Sequence, residues 1–248
     1  MYAISAKAVG ADPVSAPETD LTADVDALLE AANERTKLVF LANPNNPTGT
    51  LLPDAEMRRL RDGLPSQALL VLDSAYAEYV ESKDYDPGAA LVEERDDVVM
   101  TRTFSKIHGL AALRLGWCYG PPSVIDALHR ARGPFNVNGP AQAAGIGAIE
   151  DTNFVKHARE DNTKERARVT KALEALGVTV TPSEGNFVLV ECGTDGAHSA
   201  EKTDEFLQTR GVLVRRMEGY GLPAHLRISI GTHDQNSVLL DALRDFRG

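Results

Sequence analysis

Three short apolar runs, each ending against polar residues, constrain this chain more than any other feature. KLVFLA at 37–42 stops at Asn43, ALLVLD at 68–73 ends in Asp73, and VVMT at 98–101 runs into TRTFSK. Runs this short and this uniformly apolar suit strands of a buried sheet. Between the first two lies NPNNPTGT at 43–50, where two prolines and a glycine enforce a turn, and then a helix from Asp54 to about Asp62. Strand, polar turn and helix in repetition predict an α/β fold with a parallel-type sheet. Such sheets bind ligands at the carboxyl ends of their strands. That edge is predicted to receive Asn46, Asp73 and Lys106, with Tyr76 and Tyr79 just beyond the second strand.

The rest of the chain reads as the remainder of a larger domain, a long helix and a small domain. TADVDALLEAANERT at 22–36 has an apolar stripe of Val25, Leu28, Leu29 and Ala32, with Thr22 as the expected cap. A strand-like stub follows Gly116, then a helix over 123–132, and a region whose small residues from Ala141 to Ala148 suit close helix packing. Residues 153–176 are strongly charged with apolar residues at helical intervals, which predicts an amphipathic helix bridging two parts of the molecule. Beyond Gly177, VTVTPS, NFVLVEC, GVLVRR and HLRISIG predict strands, with helices over 200–210 and at the carboxyl end. The expected division is therefore 1–152, 153–176 and 177–248, the last a small α+β domain.

Composition narrows the function classes. Hydrophobic residues at 43% and charged residues at 25% are ordinary for a globular protein. With 36 acidic against 26 basic residues the formal charge is −10, which argues against nucleic acid or an anionic membrane as a partner. No apolar run reaches the length of a membrane span and the opening residues lack a secretory signal pattern, so a cytoplasmic location is expected. Cys118 and Cys192 stand far apart without a ligand pattern, so neither a disulfide scaffold nor a metal site is expected.

The chemistry concentrates in TRTFSKIHGLAALRLG, from Thr101 to Gly116. Thr103, Ser105 and Arg114 suit an anionic group, and Lys106 presents an amine beside them. A phosphate-bearing carbonyl cofactor would fit that set, since a lysine can form a Schiff base with its aldehyde. Taken singly, Asn46 in a turn, Asp73 as a helix cap and Tyr76 as packing each have an ordinary structural explanation.

NPNNPTGT, DSAYAEY, TRTFSKIHGLAALRLG, SEGNFVLV and VRRMEGYGLPAHLRISIGT together resemble, in order, the motifs of fold-type I pyridoxal-phosphate aminotransferases, specifically the histidinol-phosphate aminotransferase family. The resemblance covers nearly the whole chain. It implies pyridoxal 5'-phosphate as cofactor, with Lys106 as the Schiff-base lysine and proton shuttle. It also implies that Asp73 pairs with the pyridine nitrogen, that Asn46 and Tyr76 bond the ring oxygen, and that Thr103, Ser105 and Arg114 hold the phosphate. Arg227 matches the arginine that grips the α-carboxylate of glutamate, a role that suits its planar fork. Arg215 or Arg216 is expected at the distal phosphate of histidinol phosphate, Asn186 at the ring or the carboxylate, and Tyr220 at the pocket mouth or in its own turn. His108 is assigned no catalytic role.

The implied reaction exchanges amino groups between histidinol phosphate and 2-oxoglutarate in histidine biosynthesis, within a homodimer. An aromatic-amino-acid aminotransferase and a non-catalytic remnant are the alternatives. Family members usually carry a further amino-terminal segment that includes an arm, a glycine-containing phosphate contact and an aromatic that stacks on the pyridine ring. Tyr2 falls just after that stacking position, so Met1 is expected to be an internal methionine and the chain to be a truncated member of doubtful independent activity.

Overall fold

The apolar runs form adjacent strands in a computed structural model that describes residues 2–248 and divides them into two units. The first unit comprises the chain up to Asn43, Leu52–Ala77 and Ser82–Gly147. It begins with helix α1 (Tyr2–Ala8) and a small hairpin of β1 (Glu18–Thr19) and β2 (Thr22–Ala23). Helix α2 (Val25–Ala31) is capped by Asp24, whose carboxylate accepts from the Ala27 amide at 3.0 Å and from the Thr19 hydroxyl at 2.7 Å. Thr22, the expected cap, instead pairs with Thr19 in the hairpin, which leaves Asp24 at the position before the helix.

The sheet of this unit has the order β3 (Leu38–Ala42), β4 (Leu69–Asp73), β5 (Val98–Thr103), β6 (Gly116–Tyr119). The first three are parallel and β6 is antiparallel to β5. Leu41, Leu70, Leu72, Val98 and Met100 pack with Met57 and Leu60 of α3 (Asp54–Gly63) and Leu91 of α4 (Ala89–Glu94). Burial of each such side chain stabilises the fold by roughly 1.5–3 kcal/mol. The other face is less covered than uniformly apolar runs predict: Leu38 and Phe40 of β3 are 51% and 37% exposed. Helices α5 (Pro122–Ala131) and α6 (Gly139–Glu150) follow. Of the small residues in α6, Ala141 and Gly145 are the buried ones, and a Cβ on Gly145 would stand 2.5 Å from Leu115 Cδ2.

The second unit comprises Pro44–Leu51, Glu78–Glu81 and Ala148–Gly248. Its division from the first differs from the expected one: the turn bearing Asn46 goes with the carboxyl-terminal part, and the long helix α7 (Thr152–Ala175) lies wholly inside this unit. After α7 come β7 (Thr179–Thr181), β8 (Phe187–Glu191), α8 (Ala200–Thr209), β9 (Arg215–Met217), β10 (Leu222–Ser229) and α9 (His233–Arg247). The sheet is antiparallel in the order β7-β8-β10-β9. GVLVRR becomes a strand only at its end. Gly211 turns at φ +73°, and pairing with β10 begins at Arg215.

Val188, Val190, Leu226 and Ile228 form one sheet face, packed with Val169 and Leu173 of α7, Leu207 of α8 and Leu239, Leu240 and Leu243 of α9. Glu165 ties α7 to α9: it accepts from Arg168 at 2.6 Å, from Asn236 at 2.8 Å, and lies 3.0 Å from His233 Nδ1. The Arg168 guanidinium foremost, aided by Asn236 and His233, holds this buried carboxyl down to about 2.

Candidate active site

The predicted site residues divide between the two units. In the first, Asp73 ends β4 and its neighbour across the parallel register is Thr101 of β5. One Asp73 oxygen accepts from the Ala75 amide at 3.1 Å, and the other accepts from the phenol of Tyr2. Partial burial first, and the Asp73 carboxylate second, push the Tyr2 phenol well above its ordinary pKa. The same ring stacks on Phe40 with centroids 4.6 Å apart.

Lys106 stands in the turn beyond β5, its Nζ 5.0 Å from the centre of the buried Tyr76 ring. The turn closes on itself: Gly109, at φ +70°, donates to the Lys106 carbonyl at 2.9 Å, and Leu110 donates to Phe104 at 3.0 Å. A left-handed residue is needed there, which glycine adopts without a Cβ clash. Thr103 Oγ1 accepts from the Ser105 amide at 3.0 Å, and Arg114 Nη1 reaches Ser105 Oγ at 3.4 Å and the Ala111 carbonyl at 2.7 Å. Arg114 itself is left-handed at φ +53°, unusual for a residue with a side chain. Two hydroxyls and an exposed guanidinium thus stand together next to the lysine turn, a donor set suited to an anionic oxygen group.

In the second unit, Arg227 of β10 donates to Asn46 Oδ1, and its guanidinium lies 5.0 Å from the centre of the Phe187 ring. Its partner across the antiparallel register is Arg215 of β9, whereas Arg216 is the partner of Leu226. Side chains directly opposite share a sheet face and alternate faces along a strand. Arg215 therefore shares the face of Arg227, and Arg216 lies on the helix-covered face with Leu226. Arg216 is held there by Glu201 at 3.2 Å and by Glu218. Arg215 is exposed, with its guanidinium 5.8 Å from the Tyr220 ring centre. Like charges directly opposed across strands repel, and an anion between them would remove that repulsion. Asn186 precedes β8 and its carbonyl accepts from Ile230 at 2.9 Å.

The profile of aminotransferase class I and II matches residues 1–243. The histidinol-phosphate aminotransferase of Maricaulis maris is 53% identical over 246 residues, covering 99% of this chain and 68% of that protein. This chain belongs to the histidinol-phosphate aminotransferase family. The family's protein from Granulibacter bethesdensis is 52% identical, with 99% of this chain and 66% of that protein covered. The solved histidinol-phosphate aminotransferase of Sinorhizobium meliloti, in complex with pyridoxal-5'-phosphate, superposes with a TM-score of 0.91 at 30% identity, covering 99% of this chain and 67% of that one. The chain thus spans about two thirds of the length of these relatives. Among the described residues no helix is long and apolar enough to cross a membrane, and no cluster of His, Cys, Asp or Glu has the form of a metal site.

Two contacts within this family frame were not legible in the sequence. Tyr2 lies 71 residues from the aspartate it bonds, and nothing in its heptapeptide marks it as a partner. Phe187 reads as a strand residue; only the cross-strand geometry brings its ring beneath Arg227.

Proposed function

We propose that the protein carries out pyridoxal-phosphate-dependent exchange of amino groups between histidinol phosphate and 2-oxoglutarate. The observation that supports it most is the first unit's set: Lys106 over Tyr76, Asp73 at the end of β4, and the cluster of Thr103, Ser105 and Arg114. The donors fit the group. Hydroxyls and guanidinium suit its phosphate, and Asp73 already accepts a hydrogen bond from a donor on an aromatic ring.

When bound, pyridoxal phosphate supplies an electrophilic aldehyde and a ring that draws electron density away from the substrate Cα. Asp73 would accept a hydrogen bond from the ring nitrogen and, by its charge, favour the protonated form of that nitrogen. The Tyr76 hydroxyl and the Asn46 amide are each of a type that would donate to the ring oxygen. Lys106 Nζ takes the proton that leaves the substrate Cα. Arg227 holds the α-carboxylate of glutamate through two parallel donors. Arg215 takes the distal phosphate of histidinol phosphate, because it shares a face with Arg227 while Arg216 is held by two carboxylates. Asn186 lies at the start of β8 as a further substrate contact.

The paired arginines favour this substrate over that of an aromatic-amino-acid aminotransferase, which calls for a more apolar pocket. The active form is a homodimer, in keeping with apolar residues that this chain leaves exposed, Phe135 at 97% and Ile146 at 61%. A cytoplasmic setting agrees with two free cysteines, Cys118 and Cys192. Reduction with borohydride in the presence of pyridoxal phosphate, followed by peptide mass analysis, tests the reading: the label is expected on Lys106, and a label on another lysine overturns it.

A further inference from the structure

Within the second unit, the segments bearing Asn46 and Asn186 are tied to one helix through a single buried turn. The carbonyl of Gly185, itself buried, accepts two side-chain donors from α7: Arg166 Nη1 at 2.9 Å and Asn162 Nδ2 at 3.2 Å. Arg166 Nη2 also pairs with Glu184 at 3.2 Å, and both α7 side chains are largely buried, Asn162 at 8% exposure and the Arg166 side chain at 13%. The turn is drawn tight from inside as well, since Ser183 Oγ accepts from the Gly185 amide at 3.1 Å and donates to the Phe187 carbonyl at 2.6 Å.

The turn then passes its position on. The Glu184 amide donates to the Gly49 carbonyl at 2.8 Å. Gly49 sits at φ +81°, so close to the turn that a Cβ there would meet Ser183 Oγ at 2.2 Å. Three residues before it, Asn46 accepts from Arg227. On the other side, Gly185 lies against Phe187, where a Cβ would stand 3.0 Å from the ring, and that ring lies beneath Arg227. Arg227 is thus bracketed by two elements, Asn46 and Phe187, that both lean on the turn Arg166 grips.

We propose that Arg166 is a positioning residue: its two-pronged hold on Glu184 and Gly185 sets the loop 44–51 and the Phe187 ring, and thereby fixes Asn46 and Arg227 in place for a dicarboxylate substrate. Arg166 touches no reacting atom. The inference rests on the proposed aminotransferase reading for its functional meaning, while the mechanical link rests on geometry alone.

Its neighbour Glu165 provides the control, because its side chain is at least as deeply buried in α7 but ties that helix to α9 instead of to the turn. Hydrogen exchange of R166M should accelerate roughly tenfold or more in the amides of 44–51 and 183–187. Affinity for glutarate, a dicarboxylate that does not react, should fall about tenfold by calorimetry, with KM for glutamate rising in step and kcat moving much less. E165Q should lower the melting temperature yet leave loop exchange and glutarate affinity within about twofold. N162L, which removes the second donor to Gly185, should act like R166M but more weakly, and it decides the matter if R166M does not fold.

Equal acceleration in R166M and E165Q would mean general softening and would overturn the proposal. Unchanged exchange in 44–51, or accelerated exchange with unchanged glutarate affinity, would overturn it as well. Failure of the unmodified protein to bind glutarate or pyridoxal phosphate would instead count against the proposed function, and the exchange comparison would still decide the mechanical link.

Discussion

The two units assemble polar groups in opposite ways. In the first, Asp73, Lys106 and the hydroxyls sit where parallel strands end, on turns that need only local chemistry such as the left-handed Gly109. In the second, Arg227 and Arg215 project from the face of an antiparallel sheet, and their pairing depends on the register between β9 and β10. A strand-end site tolerates variation in strand length, because the turn after it can be adjusted. A face site does not, since a slip of one residue turns Arg215 under the sheet and brings Arg216 up. Arg216 shows what the wrong face does with a cation: two carboxylates hold it.

The sharpest break of this comparison is at Lys106. K106A should lower amino-group exchange by roughly 10³-fold or more while leaving pyridoxal phosphate bound non-covalently through Asp73 and the Thr103, Ser105 and Arg114 cluster. Single-turnover kinetics and equilibrium dialysis measure the two effects. Substantial exchange by the variant would mean that the strand-end set does not perform the proton transfer.

Next comes the face assignment. R215M should weaken discrimination for histidinol phosphate over phenylalanine by about ten- to a hundredfold, as expected for loss of a charge-assisted contact of about 1.5–3 kcal/mol. R216M should leave that ratio within about twofold. The reverse order would show that the register-based choice between the two arginines is mistaken.

A smaller effect concerns the carboxylate that braces the second unit. Glu165 has a pKa of about 2 in the folded protein against an ordinary 4.5. A depressed carboxylate contributes stability that is fully present above its unfolded pKa, so this contribution should hold above about pH 4.5 and be lost as pH falls toward 2. Allowing for solvent screening at its rim, we expect on the order of 1–2 kcal/mol. Urea unfolding of the unmodified protein and E165Q at pH 7 and at pH 3 should show the gap between them narrowing at the lower pH.

The mildest test falls on the first unit. The Tyr2 phenol donates to the Asp73 carboxylate, which the proposed function assigns to the pyridine nitrogen. Y2F should therefore tighten pyridoxal phosphate binding a few-fold, in line with the modest net worth of one hydrogen bond, about 0.5–1.5 kcal/mol. Weaker binding by Y2F would mean that the phenol helps to hold the cofactor rather than competing with it.

By itself the sequence determined the strands at whose ends the proposed cofactor residues stand. Apolar runs of five or six residues that end in polar ones state both where a strand lies and what stands at its edge, so β3, β4 and β5 were legible to within a few residues, together with Asp73 and Lys106. The motif order also named the family. What only the tertiary structure decided depends on residues far apart in the chain: which of Arg215 and Arg216 faces Arg227, that Tyr2 reaches Asp73, that Phe187 lies beneath Arg227, and that Arg166 braces the turn holding Gly49. Local pattern encodes the period of a strand and the chemistry of a turn. It does not encode cross-strand register or the direction of a long side chain, because those are set by whichever packing of the whole chain buries its apolar faces.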